Sequence, residues 1–164
     1  MHLHILGICG TFMGGIAAIA REAGHRVTGC DAQVYPPMSD QLRALGIDLI
    51  EGYDANQLQL QPDVFVIGNV VKRGMPLMEA VLNAGARMTS GPQWLAENVL
   101  QGRHVLAVAG THGKTTTTSM VAALRDAGGL DPTVINGGNI NAYGANAKGG
   151  QGDWMVDEAD ESDG

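Results

Sequence analysis

Short apolar runs alternate with helix-patterned stretches along the chain, and glycines mark most of the changeovers. Residues 2–8 read as a strand. Residues 14–23 read as a helix, with Ile16, Ala17, Ala20 and Ala23 on one face and a stop at Gly24. Residues 26–30 read as a second strand that ends at Asp31. Pro36 and Pro37 open a helix carrying Met38, Leu42 and Leu45 on one side, closed by Gly46. Further strands are expected at 48–50, 63–67 and 87–89, and further helices at 77–84 and 92–100. Strands joined through helices pair in parallel, so this order predicts an α/β fold with a Rossmann-like parallel sheet covered by helices. Aromatic residues are only 4% of the chain, so the core must be aliphatic.

Residues 101–103 form a brief polar joint, and the pattern then restarts. A strand is expected at 104–108, a helix at 114–127 ending at Gly128 and Gly129, and short strands at 134–135 and 154–156. The Gly/Asn/Ala-rich stretch 137–152 reads as a loop region. The expected division is residues 1–100 as one sheet domain, and 104–164 as the first part of a P-loop-type α/β ATPase domain.

The formal net charge of −7 argues against nucleic acid or an anionic membrane as a general partner. A phosphate ligand would need a local site made of backbone N–H groups and one or two cations. Cys9 and Cys30 make neither a metal motif nor a disulfide framework, and read as small buried apolar residues. Residues 1–20 are apolar but contain no Lys or Arg before Arg21, unlike a secretory leader, and no run approaches a membrane span. The expected compartment is the cytoplasm.

The strongest chemical signal is Val105-Leu106-Ala107-Val108-Ala109-Gly110-Thr111-His112-Gly113-Lys114-Thr115-Thr116. An apolar strand runs into a glycine loop, then Lys-Thr, then a helix. Glycines let successive N–H groups point at phosphate oxygens, and the helix N-terminus adds a favourable dipole. Lys114 can reach the β- and γ-phosphates and the Thr115 hydroxyl can ligate Mg²⁺. The common P-loop has a glycine five residues before Gly113, where this chain has Val108, so the loop is a shorter variant.

A second signal is Asp157-Glu158-Ala159-Asp160-Glu161-Ser162-Asp163, after a strand one crossover from that loop. A carboxylate there suits Mg²⁺; a solvated acidic turn is the plainer alternative. The third is Gly7-Ile8-Cys9-Gly10-Thr11-Phe12-Met13-Gly14, with Asp31 closing the next strand. Its G-x-x-G-x-x-x-G spacing differs from the dinucleotide fingerprint but suits some nucleotide at a strand end, with Asp31 either accepting from ribose hydroxyls or serving as a turn residue. The histidines form no ligand-spaced pair, and Trp94, Met13, Met38 and Met78 read as packing residues.

Together these stretches resemble the Mur ligases of peptidoglycan synthesis. Gly110 to Thr116 looks like their ATP loop, and Glu158 falls on the family's Mg²⁺-binding glutamate. Within the family, residues 4–15, Val34-Tyr35-Pro36-Pro37-Met38-Ser39 and Ser90-Gly91-Pro92-Gln93-Trp94-Leu95 resemble the recycling branch. That branch joins UDP-N-acetylmuramate to the murein tripeptide L-alanyl-γ-D-glutamyl-meso-diaminopimelate. Residues 131–138, Asn141-Ala142-Tyr143-Gly144 and 158–164 are more similar to the branch that adds L-alanine. The recycling branch has the longer and more distinctive match. The resemblance implies an ATP-dependent, ADP-forming amide ligase that passes through a muramoyl acyl phosphate. It implies ATP at Gly110, Thr111, His112, Gly113, Lys114, Thr115 and Thr116, and Mg²⁺ at Thr115 and Glu158. It also implies the UDP-sugar at Ile8, Cys9, Gly10, Thr11, Met13, Gly14, Asp31 and Asn69, with Lys114, Thr115 and Glu158 as the catalytic set. Family members are much longer, so the isolated chain is expected to lack ligase turnover. Two other classes compete on layout: an NAD-binding Rossmann oxidoreductase, and a non-catalytic nucleotide-binding module.

Overall fold

The computed structural model describes residues 1–140 and 145–159. The expectations attached to Asn141–Gly144 and to Asp160, Glu161, Ser162 and Asp163 lie outside the described residues. Two sheets carry the fold. In the first, β3 (Asp48–Glu51), β2 (Arg26–Asp31), β1 (His2–Leu6), β4 (Val64–Ile67) and β5 (Met88–Ser90) lie side by side in that order. Every pairing is parallel, as the alternating sequence pattern requires. The chain leaves β1 toward β2 and β3, then returns to place β4 on β1's other side. That reversal of direction opens a crevice above the ends of β1 and β4.

Helix α1 (Thr11–Glu22) begins three residues earlier than its apolar periodicity suggests, because Gly10 takes the N-cap and Gly14 N–H already donates to Gly10 O at 2.8 Å. It ends at Gly24, whose φ of +87° lets His25 N–H return to Ala20 O. Its residues from Met13 to Ala20 are all buried. Helices α2 (Met38–Ala44), α3 (Pro76–Asn83) and α4 (Gly91–Asn98) complete the first unit, α4 capped by Ser90 Oγ accepting from Gln93 N–H. A 3₁₀ turn at Ala55–Leu60, absent from the sequence pattern, is pinned to the sheet by buried Gln57. Its Oε1 lies 3.0 Å from His4 Nε2, and His4 Nδ1 in turn lies 2.8 Å from the Thr28 hydroxyl.

The second sheet runs β6 (His104–Val108), β9 (Trp154–Glu158), β7 (Thr133–Ile140), β8 (Ala145–Lys148). Strands β6, β9 and β7 are parallel, and β8 is antiparallel to β7. Here the expected loop at 137–152 is corrected. Its residues from 137 to 140 extend β7, and 145–148 form β8. Small polar residues with glycine carry no period-two apolar signal, but backbone pairing across the β7–β8 ladder needs none. Helix α5 (Lys114–Ala127) covers one face.

The other face of the second sheet packs on α1. Ile135 and Ala147 join the core formed by Leu3, Ile5, Ile16, Ile19 and Val66, so one apolar core runs through both sheets. The close approach needs Gly15: a Cβ there would lie 3.3 Å from Ala147 Cβ. Trp94, Met13 and Cys30 are buried, as their types suggest, and Met38 and Cys9 are partly buried. Among the described residues no helix is long and apolar enough to cross a membrane.

Candidate functional site

The loop after β1 is held by its own backbone and by one carboxylate. Gly7 N–H donates to Cys30 O at 2.8 Å, Ile8 N–H to the same oxygen at 3.2 Å, and Gly10 N–H to Gly7 O at 3.2 Å. Gly7 has φ of +79°, and a Cβ on it would stand 2.8 Å from Val70 Cγ2. This position therefore needs glycine on both conformational and steric grounds. Asp31 Oδ2 accepts from Cys9 N–H at 2.9 Å and Oδ1 from Ala32 N–H at 2.7 Å. The turn role foreseen for Asp31 is thus real. A carboxylate offers about four lone-pair positions, which leaves room for a ligand hydroxyl as well. Burial, then the neighbouring Asp31 charge, pushes the Cys9 thiol pKa up, so this thiol stays protonated.

Above the loop lies a cleft with two lobes that share Gly7, Gly10, Thr11, Val70 and Gly137. The larger, about 660 Å³, extends past Cys9 and Asp31 to Tyr35, Pro36 and Gln41. The smaller, about 370 Å³, extends past Met13 and Asn69 to Asn136 and Glu158 of the second sheet. The first-turn N–H groups of α1 have no partners within the helix. They belong to residues that line this cleft, and the helix dipole favours an anion there. Among the described residues, neither lobe is lined by Lys or Arg.

Of the UDP-sugar residues expected from sequence, Gly10, Thr11, Met13 and Asn69 line the smaller lobe, and Cys9, Gly10, Thr11 and Asp31 the larger. Ile8 and Gly14 line neither. The Ile8 side chain is fully buried, filling the space a Cβ on Gly29 would take, and Gly14 lets Met38 pack closely on α1. Both shape the loop from below.

The second centre lies at the C-terminal ends of β6 and β9. Register places Val108 beside Glu158, and Ala159 N–H donates to Val108 O at 3.1 Å. Gly113, at φ of +78°, caps α5, and Thr117 N–H donates to Gly113 O at 2.9 Å. The N–H groups of this first turn point out of the helix toward the loop end. Thr115 Oγ1 donates to the Glu158 carboxylate, 2.8 Å from Oε1, and Gly137 N–H donates to Oε2 at 2.6 Å. Glu158 is 9% exposed. Gly110, Thr111, His112 and Gly113 form an exposed loop before the helix, outside both lobes.

Asn136 was not singled out as a site residue by sequence reasoning. It is fully buried on β7 and lines the smaller lobe. Its Nδ2 donates to Ser119 Oγ at 2.8 Å and to Thr115 O at 3.3 Å, tying the start of α5 to the sheet. Its Oδ1 is buried without a hydrogen-bond partner among the described residues. An asparagine beside two glycines reads as a turn, and only the β7 register reveals it at the site. Asn146 is another such residue: from β8 its Nδ2 donates to Thr11 O on α1, joining the two sheets at the cleft.

A family model described as "Mur ligase family, catalytic domain" matches residues 2–103. The UDP-N-acetylmuramate–L-alanyl-γ-D-glutamyl-meso-2,6-diaminoheptandioate ligase of Escherichia coli (strain K12) is 55% identical over 163 residues, 99% of this chain and 36% of the relative. A UDP-N-acetylmuramate–L-alanine ligase of Cereibacter sphaeroides is 48% identical over 162 residues, 99% of this chain and 34% of the relative. The crystal structure of UDP-N-acetylmuramate:L-alanyl-γ-D-glutamyl-meso-diaminopimelate ligase from Neisseria meningitides matches with a TM-score of 0.93 at 56% identity, covering 98% of this chain and 52% of that one. UDP-N-acetylmuramate–alanine ligase from Thermotoga maritima matches with a TM-score of 0.88 at 27% identity, covering 96% and 36%. The chain spans about a third of the length of the curated relatives it matches.

Proposed function

Because the chain belongs to the Mur ligase family, we propose that it supplies the sugar-nucleotide cleft and the phosphate-binding start of an ATP-dependent, ADP-forming amide ligase. Its acceptor is UDP-N-acetylmuramate, and the amine joined to it is the murein tripeptide. The higher identity to the tripeptide ligases, 55% against 48%, supports the tripeptide over L-alanine. In this proposal residues 1–100 hold the sugar nucleotide, and 104–164 are the first part of the central ATP-binding domain.

The observation that carries the proposal is the hydrogen bond between Thr115 and Glu158 at the rim of a lobe that also reaches the α1 N-terminus. It brings the hydroxyl of a Gly-Lys-Thr loop and a buried carboxylate to one point beside the sugar-nucleotide cleft. The donor set fits Mg²⁺. Both groups are hard oxygens, and among the described residues no cluster of three His, Cys, Asp or Glu builds a protein-only cage. That suits an ion which keeps several waters and takes one or two carboxylates plus substrate phosphates. When bound, Mg²⁺ neutralises charge on the transferred phosphoryl group. Thr115 and Glu158 would hold it, and Gly137 N–H and Asn136 keep those two side chains at their present separation.

The remaining roles follow from position. The α5 N-terminal amides and Lys114 bind the triphosphate oxygens of ATP and stabilise charge as it develops there. The α1 amides at Thr11 and Met13 hold the sugar nucleotide's diphosphate. The muramoyl carboxylate then lies in the smaller lobe, close enough to Glu158 to take the γ-phosphoryl group as an acyl phosphate. The amine attacks that carbonyl and phosphate leaves.

Equilibrium titration tests this scheme. Lys114→Ala should weaken Mg·ATP at least ten-fold and leave UDP-N-acetylmuramate binding intact. Gly10→Ala should do the reverse. Gly10 has an ordinary φ, and an added Cβ meets only Gly7 O at 3.4 Å, so the fold accepts the methyl. Tight NADH binding with no affinity for UDP-sugars would instead support an oxidoreductase.

A further inference from the structure

The larger lobe is longer than a diphosphate at the α1 N-terminus requires, and its far end carries a different chemistry. There the wall is made by Asp31, Ala32, Gln33, Tyr35, Pro36 and Gln41. Among the described residues, Tyr35 is the one aromatic that lines this lobe. It is 62% exposed, although it lines a cavity. An exposed tyrosine on a convex surface is unremarkable. On the wall of a nucleotide-sized cleft it offers a flat face with only two side-chain torsions to order. Its backbone is also held: Tyr35 O accepts from Ser39 N–H at 3.3 Å, and Pro36 and Pro37 follow it directly.

Electrostatics orients a nucleotide in this lobe. Asp31 lines it and accepts from Cys9 N–H of the loop, and among the described residues no Lys or Arg lines the lobe to offset that charge. Phosphates are therefore repelled from the Tyr35 end and drawn to the α1 amides. The neutral base is left to face the ring, with ribose hydroxyls at the carboxylate. Building on the proposed UDP-N-acetylmuramate acceptor, we infer that Tyr35 is the stacking platform for the uracil base, and so a specificity-determining residue of this cleft.

Calorimetric titration of the 164-residue chain with UDP-N-acetylmuramate, UDP, ADP and N-acetylmuramate 1-phosphate tests the inference. Tyr35→Ala should weaken the two uridine ligands on the order of ten-fold, the scale of one base–aromatic stack, and leave the base-free sugar phosphate unchanged. Tyr35→Phe should bind like the parent, because it keeps the π-face. The uracil H5 and H6 resonances of bound UDP should move upfield in the parent and in Tyr35→Phe, but not in Tyr35→Ala. Thermal unfolding of each variant should match the parent, since the ring is exposed. Unchanged uridine affinity in Tyr35→Ala, a Phe variant as weak as the Ala variant, or ADP gaining more from Tyr35 than UDP would each overturn the platform. A parent chain that binds no uridine ligand would overturn the acceptor assignment itself, a separate result.

Discussion

The chain uses one device twice, a strand, a glycine turn and a helix N-terminus, and gives the two copies very different surroundings. In the first, β1 lies between β2 and β4 in mid-sheet, and α1 is enclosed by both sheets from Met13 to Ala20. In the second, β6 is an edge strand, and α5 buries only Thr118 and Ala122. Met120 and Leu124 on α5 and Val105 on β6 stay exposed. The loop after β1 is braced by Asp31 and the Cys30 carbonyl, whereas the loop before α5 is anchored at its far end, through Thr115 and Asn136. The motif presents helix N-terminal amides in both places, but what covers the helix decides how firmly they are held. On the proposed roles, a sugar-nucleotide site built on α1 would be pre-organised, whereas an ATP site at α5 would gain more of its order from its ligand.

The contrast breaks down if the two helices respond alike to truncation. Ile16→Ala, on the enclosed helix, should cost about 2–5 kcal/mol in urea unfolding, the usual range for a buried Ile. Glu158→Gln keeps the shape of the second centre and removes its charge. It should abolish most of the Mg²⁺ dependence of ATP binding, lowering Mg·ATP affinity about ten-fold, while UDP-N-acetylmuramate affinity holds. An equal loss of both ligands would mean that Glu158 supports the whole cleft and not the metal alone.

Acid should act mainly through the first unit. Burial lowers the His4 pKa to about 4, against an ordinary 6.5, and also lowers those of His2 and His25. The folded state holds His4 neutral while the unfolded chain takes up a proton below about pH 6.5. Stability is therefore full above that pH and falls as pH drops toward 4, by on the order of 3 kcal/mol from His4. Glu22, raised chiefly by burial, works in the opposite sense and offsets a part. Denaturant midpoints between pH 7 and 4 would measure the slope, and His4→Gln should flatten it. The smallest effect is expected on the open face: Leu124, 74% exposed, can become Ser with a stability change within about 0.5 kcal/mol. A larger loss there would mean that α5 is packed more tightly than its exposure indicates.

Residue order alone determined the parallel first sheet, the strand and helix on either side of the Gly-Lys-Thr turn, and the glycine loop after β1. Each depends on local rules: helix-linked strands pair in parallel, apolar periodicity selects helix or strand, and glycine permits tight turns. The role of Trp94 as a packing residue follows from the same rules. Tertiary structure alone decided that β7 and β8 extend through a glycine- and asparagine-rich stretch, since ladder hydrogen bonds do not depend on side-chain type. It also decided that Ile8 and Gly14 support the loop from beneath and that Asn136 and Asn146 reach the cleft. The meeting of Thr115 with Glu158, 43 residues apart, depends on β9 settling beside β6. Such contacts are set by which strands neighbour which, and local sequence carries no record of that.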